Sequence, residues 1–109
     1  MVRPPDSLQG TLDLLILKTL EHKANHGFGI ALHIQTISDG LLRVEEGSLY
    51  PALHRLARQK LIVASWKITE NGRRARYYKL TRRGLQRLNE VQESWTTLVR
   101  GLNKIMRFA

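Results

Sequence analysis

The 109-residue sequence contains no cysteine, which excludes a disulfide framework and a zinc ribbon alike. Acidic residues are few, nine Asp and Glu against eighteen Lys and Arg. Long hydrophobic runs are missing too. The N-terminus, Met1-Val2-Arg3-Pro4-Pro5-Asp6, has no apolar signal core, so neither a secretory leader nor a membrane span is expected, and the chain reads as a soluble cytoplasmic protein. His22 and His26 stand four apart, but Asn25 and Gly27 end the helix there and no third ligand follows at matching spacing; His33 and His54 are isolated. No metal site is expected. No nucleophile–base pair and no phosphate-binding glycine loop appears either, which argues against an enzyme and against a cofactor.

What is present is positive charge, unevenly placed. Residues 1–40 carry a net charge of −1 and residues 41–109 a net of +10. Such an asymmetry suggests a polyanionic partner, because each neutralised phosphate releases counterions. At this length the chain is expected to be one domain with a modest core, for which dimerisation would add stability.

The segment from Glu46 to Thr81 explains where the charge goes. Leu49, Leu53 and Leu56 recur at helical spacing and form one apolar stripe, while Tyr50, His54 and Arg58 recur every fourth residue on another face. Ser48 is read as the N-cap, which would put Pro51 in the first turn, where its missing N–H removes no helical hydrogen bond. After Leu61 the period falls to two: Ile62, Ala64, Trp66 and Ile68 share one face, and Val63, Ser65 and Lys67 the other. A turn from Thr69 to Ala75 with adjacent arginines leads to a second strand, Arg76-Tyr77-Tyr78-Lys79-Leu80. Helix, strand, basic turn and strand make a winged helix, in which the helix enters the DNA major groove and the turn's cations reach phosphates. Trp66 and Tyr78 are read as hairpin core.

Upstream, leucines and isoleucine at 12, 14, 15, 16, 17 and 20 surround a helix from Thr11 to about Lys23, which should be buried on two sides. A second helix runs from Gly27 to about Ser38, with Ile30, Ile34 and Ile37 at core spacing and Asp39-Gly40 ending it. Leu41-Leu42-Arg43-Val44 is expected to be an extended piece able to pair with the wing, and Glu45 and Glu46 to favour the next helix's start. Downstream, Thr81 is expected to cap a long helix from Arg82 to about Met106. On it Leu88, Val91, Trp95, Leu98, Leu102 and Ile105 form a seam that repeats every seven residues and that a lone chain leaves uncovered. The fold class is therefore mainly α with a small β-hairpin, a winged helix-turn-helix plus a C-terminal dimerisation helix. The expected divisions are a flexible arm over 1–9, a DNA-binding domain over 10–81 and a dimerisation helix over 82–109.

The residues Gly47-Ser48-Leu49-Tyr50-Pro51-Ala52-Leu53-His54-Arg55-Leu56, then Leu61-Ile62, then Gly72-Arg73 and Arg76-Tyr77-Tyr78-Lys79-Leu80-Thr81-Arg82-Arg83-Gly84 closely resemble the PadR family of bacterial transcriptional regulators. The likeness continues in Leu8-Gln9-Gly10-Thr11-Leu12 and in His26-Gly27-Phe28-Gly29-Ile30, and so spans nearly the whole chain. It implies a double-stranded DNA operator as partner, with Ser48, Tyr50, Pro51, His54, Arg55 and Arg58 facing it from the helix and Arg73, Arg74 and Arg76 from the wing. The single terminal helix is similar to that of the short-tailed subfamily, whose homodimers use this helix with the first; Leu12, Leu88, Val91, Trp95, Leu98, Leu102 and Ile105 are the expected interface. Glu93-Ser94-Trp95 is similar to the context of a tryptophan that stacks on planar aromatic effectors in multidrug-sensing members. Trp95 thus has two readings, an interface anchor or an effector contact. The whole chain likewise has two, an operator-specific regulator or a sequence-nonspecific architectural protein.

Overall fold

The computed structural model describes residues 8–108, and the apolar pattern accounts for most of its elements. Leu8–His22 (α1) is the central helix: Ile16, Leu17 and Leu20 are buried, and Leu12, Leu14 and Leu15 pack against the same core from its flanks. It touches the second, third and fourth helices and the last strand, as a helix apolar on most of its circumference must. Its first turn already includes Leu8 and Gln9, so the expected arm is shorter at its C-terminal end; residues 1–7 lie outside the described residues.

Asn25–His26 (β1) is a two-residue strand that leads into Gly27–Ile37 (α2). His26 Nδ1 caps the helix by accepting from the Gly29 N–H at 3.1 Å. Ile30 and Ile34 are buried as expected, but Ile37 is 69% exposed. The helix ends at Ile37, and Asp39 and Gly40, at φ 55° and 78°, turn the chain away before it can be covered. Residues 41–45 form no strand. The edge of the sheet that they were expected to pair with is taken by β1 instead.

Glu46–Arg58 (α3) starts three residues earlier than a Ser48 cap would have it. Glu45 is its N-cap, with no side-chain cap bond, and Ser48 lies inside the helix. Pro51 is therefore more than a turn in, and the Gly47 carbonyl loses the helical donor that a residue other than proline would supply. The helix closes with Lys60 at φ 62° and the Leu61 N–H donating to the Leu56 carbonyl at 3.0 Å, a left-handed cap built on lysine rather than glycine. That reversal drops Leu61 and Ile62 into the core and begins Ile62–Ile68 (β2).

β2 pairs antiparallel with Arg74–Leu80 (β3), Ile62 opposite Leu80 and Ile68 opposite Arg74, and β1 pairs with β3 at Tyr78 and Tyr77. The sheet order is β1-β3-β2. Arg82–Phe108 (α4) follows at once, capped as expected: the Gly84 N–H donates to Thr81 Oγ1 at 3.0 Å, and that hydroxyl reaches the Lys60 carbonyl at 2.7 Å. Gly84 and Leu88 are buried against the body, whereas every residue from Val99 to Phe108 is exposed. At 27 residues α4 is about 40 Å long. Its free end accounts for a radius of gyration of 15.2 Å, above the roughly 13 Å of a compact chain this size.

Candidate nucleic-acid interface

α3 carries its four buried apolar residues, Leu49, Ala52, Leu53 and Leu56, on one side. Tyr50, His54 and Arg58 are exposed on the other, a row a helical turn apart. Tyr50 is nonetheless fixed in place: a side-chain carbon at Gly27 would lie 2.9 Å from its ring and hydroxyl, so the ring sits in the space that glycine leaves at the start of α2. His54 and Arg58 continue onto the hairpin, sharing a shallow groove with Ala57, Arg76 and Tyr78. Tyr78 is buried, which raises its hydroxyl above the ordinary tyrosine range against the opposing pull of the neighbouring Arg76 guanidinium. The phenol stays neutral there, and Arg76 provides the positive charge.

The helix residues expected to face DNA divide into two sets. His54 and Arg58 lie with Arg76 beside the wing, while Ser48, Pro51 and Arg55 line a different groove, between α3, α1 and residues 42–45. Arg55 is partly buried and bonded through Nη2 to Asp13 Oδ1 of α1, a partner that the helical spacing does not suggest. Burial raises the Asp13 carboxyl above its ordinary value, outweighing the opposite influence of Arg55 and, from α4, Arg87. The pair joins α1 to α3. Nothing in the local sequence announces it, because the partners are 42 residues apart.

Arg73, Arg74 and Arg76 are exposed on the wing as expected, although Arg74 belongs to β3 and not to the turn. Trp66 corrects the reading of the hairpin as uniformly cored. It is 58% exposed, with the Arg74 guanidinium 4.6 Å from its ring centre, and Ile68 is 68% exposed, because the hairpin extends beyond the body that covers its base. Tyr78, at the base, is buried as expected.

Along the seam of α4, Leu88 is fully buried within its own chain. Val91, Trp95 and Leu98 are half-buried, and Leu102 and Ile105 are exposed. Trp95 has its indole Nε1 buried without a hydrogen-bond partner among the described residues. Those residues hold no cluster of His, Cys, Asp or Glu suited to a metal ion, and no helix among them is long and apolar enough to cross a membrane.

A helix with an exposed polar row ending in an arginine, beside an arginine-bearing hairpin, defines a winged helix-turn-helix DNA-binding protein. Residues 16–90 match the transcriptional regulator PadR-like family, and the chain belongs to it. It is a DNA-binding transcriptional regulator, not an enzyme. The transcriptional regulator Rv3488 of Mycobacterium tuberculosis is 34% identical over 84 residues, which is 77% of this chain and 78% of that protein. A PadR-like transcription factor from Bacteroides fragilis, of known structure, is 33% identical with a TM-score of 0.71, covering 90% of this chain and 92% of that one. A PadR-like regulator from Bacillus cereus superposes with a TM-score of 0.78 at 29% identity, over 91% of this chain and 94% of its own.

Proposed function

We propose that the chain works in the cytoplasm as a homodimeric repressor that binds a pseudo-palindromic operator and leaves it when a planar aromatic effector occupies the subunit interface at Trp95. The observation that carries the reading is the free half of α4. Leu102, Ile105, Met106 and Phe108 are 47%, 66%, 71% and 94% exposed, more apolar surface than a helix on its own keeps in water. A second copy is the natural cover, since a seven-residue repeat meets its like. The two-fold dimer would hold two α3 helices about 34 Å apart, one turn of duplex.

Val91, Trp95 and Leu98 stand where the buried and exposed parts of α4 meet, so a ligand there would touch both the body and the partner. The Trp95 indole, without an acceptor among the described residues, supports a contact still to be made, since a buried donor without an acceptor costs about 1–3 kcal/mol. For release, the effector has to bind the DNA-incompetent arrangement more tightly.

The test is an anisotropy titration against the protein's own upstream DNA and a scrambled duplex at several salt concentrations, with subunit number read by light scattering. A dimer preferring the upstream DNA by about 10³ supports the proposal. Equal affinities would favour the architectural reading, and a monomer at working concentration would overturn the dimer. A planar aromatic cation should quench Trp95 and weaken DNA binding together; if it does neither, the effector part fails.

A further inference from the structure

We infer that Trp66 is a DNA contact of the wing, an apolar side chain that packs on the sugar–phosphate strand bordering the groove entered by α3, with Arg74 held on its ring. The inference rests on the DNA-binding role of the family and adds a residue and a type of interaction to it. Strand register carries it first. Residues opposite one another in an antiparallel pair share a face, so Trp66 lies beside Arg76, and Ile68 beside Arg74. Two residues toward the base, the same face holds Tyr78, which with Arg76 lines the groove shared with His54 and Arg58. One continuous surface therefore runs from the end of α3 along Arg76 to Trp66, Arg74 and Ile68.

Exposure comes next. A tryptophan left 58% open and an isoleucine 68% open are a cost to the free protein that no contact among the described residues removes. The charges around them identify the occupant. Arg58, Arg73, Arg74 and Arg76 are all exposed along this surface or at the wing turn, and Lys67 extends from the other face of β2, while Glu70 is the one acid between Glu46 and Glu90. An apolar segment of protein would find this rim hostile. A nucleic-acid backbone offers both parts, since its phosphates suit the guanidiniums and its deoxyribose edges are apolar.

The Arg74–Trp66 contact at 4.6 Å has a consequence of its own. The ring limits where the guanidinium can go, so the ordering cost of bringing it to a phosphate is partly met before DNA arrives. Trp66 thus adds affinity through burial, which salt does not screen, and positions a cation whose contribution salt does screen.

The two contributions separate experimentally. Trp66→Ala should weaken duplex binding about tenfold at any one salt concentration while leaving the slope of log affinity against log salt nearly unchanged. Arg74→Ala should reduce that slope by about one. Trp66→Leu, which keeps an apolar side chain of strand-compatible shape, should recover part of the loss. Independently of folding of these variants, Trp95→Phe leaves Trp66 as the only tryptophan. Its emission should shift to the blue, and its quenching by acrylamide fall at least twofold, when a labelled duplex is saturated. Unchanged quenching on a duplex that anisotropy shows to be bound would overturn the inference without touching the DNA-binding role. So would a Trp66 already shielded from acrylamide before DNA is added, since a protein surface would then be its cover.

Discussion

Replacing Gly84 with alanine sets two well-calibrated effects against each other, and the structure decides between them. Gly84 lies in the first turn of α4, where intrinsic propensity favours alanine over glycine by up to about 1 kcal/mol. In open space the substitution would stabilise the protein. At this position the added carbon would lie 2.0 Å from the Leu61 carbonyl oxygen and 2.8 Å from Leu80 Cδ1. An ordinary contact needs more than 3 Å, so the helix and the Leu61 backbone must separate by over an ångström. Leu61 is not free to yield. Its carbonyl accepts from the Thr81 N–H at 3.1 Å and from Thr81 Oγ1 at 3.0 Å, and its own side chain is buried. Separation therefore opens the junction at which α3, β2 and α4 meet. Overpacking of this kind costs about 1–3 kcal/mol, with loss of the Thr81 bonds adding about 1 kcal/mol, and the propensity gain returns less than 1. A net loss of about 2 kcal/mol is expected. For a chain of this size that lowers the melting temperature by roughly 8–16 °C, measured calorimetrically at fixed chain concentration because dimerisation would make the midpoint concentration-dependent. Gly47→Ala is the control: it is also helical, nothing lies within 4 Å of its added carbon, and its expected change is a gain of about 0.5 kcal/mol. A Gly84→Ala protein that melts at or above the wild-type temperature would refute the reasoning.

Substitutions at three further positions test the joints that hold the interface. Thr81→Ala removes the α4 cap and the bond to the Lys60 carbonyl, for a loss of about 1–2 kcal/mol by urea unfolding, whereas Thr81→Ser should retain most of it. Lys60→Gly should instead raise stability by up to about 1 kcal/mol, since φ 62° suits glycine and the residue is exposed. Asp13 has a carboxyl raised above its model-compound value of 3.8, so the folded state binds its proton more tightly than the unfolded state does. Its contribution to stability is then largest below 3.8 and declines as pH rises through the raised folded value, the reverse of an ordinary ion-paired carboxylate. Asp13→Asn should remove that decline, seen by comparing wild type and variant in urea across pH 3 to 7; a variant that loses more stability than wild type as pH rises would contradict the dominance of burial.

Elements with a sustained period were legible from the sequence, and sites that depend on distant partners were not. The apolar stripe of α3, the Thr81 cap and the change of period after Leu61 are local, and each reappears in the structure. Asn25–His26 is too short to have a period, so its pairing with Tyr77 and Tyr78 was hidden and the more strand-like 41–44 took its place in the reading. Arg55 shows the limit more sharply. On the helix it neighbours His54, and its type suits DNA as well as Arg58 does. Only the arrival of Asp13 from α1 distinguishes the two.

Trp66 and Ile37 fail for a related reason. Alternation and helical spacing tell which residues share a face, but not where the face runs out of neighbours. The period-two pattern of β2 correctly groups Ile62, Ala64, Trp66 and Ile68, yet that face is buried at Ile62 and open from Trp66 onward. The heptad seam of α4 behaves in the same way, with Leu88 sealed inside its own chain and Ile105 left outside. In both elements an apolar pattern that serves the core at one end is carried past the body and exposed at the other. Continuing such a pattern into water lowers the solubility of a lone chain, so each overhang makes sense as part of an assembly. In this protein one overhang projects beside arginines and the other along the free half of α4, which is the division of labour that the proposed dimeric DNA-binding protein would require.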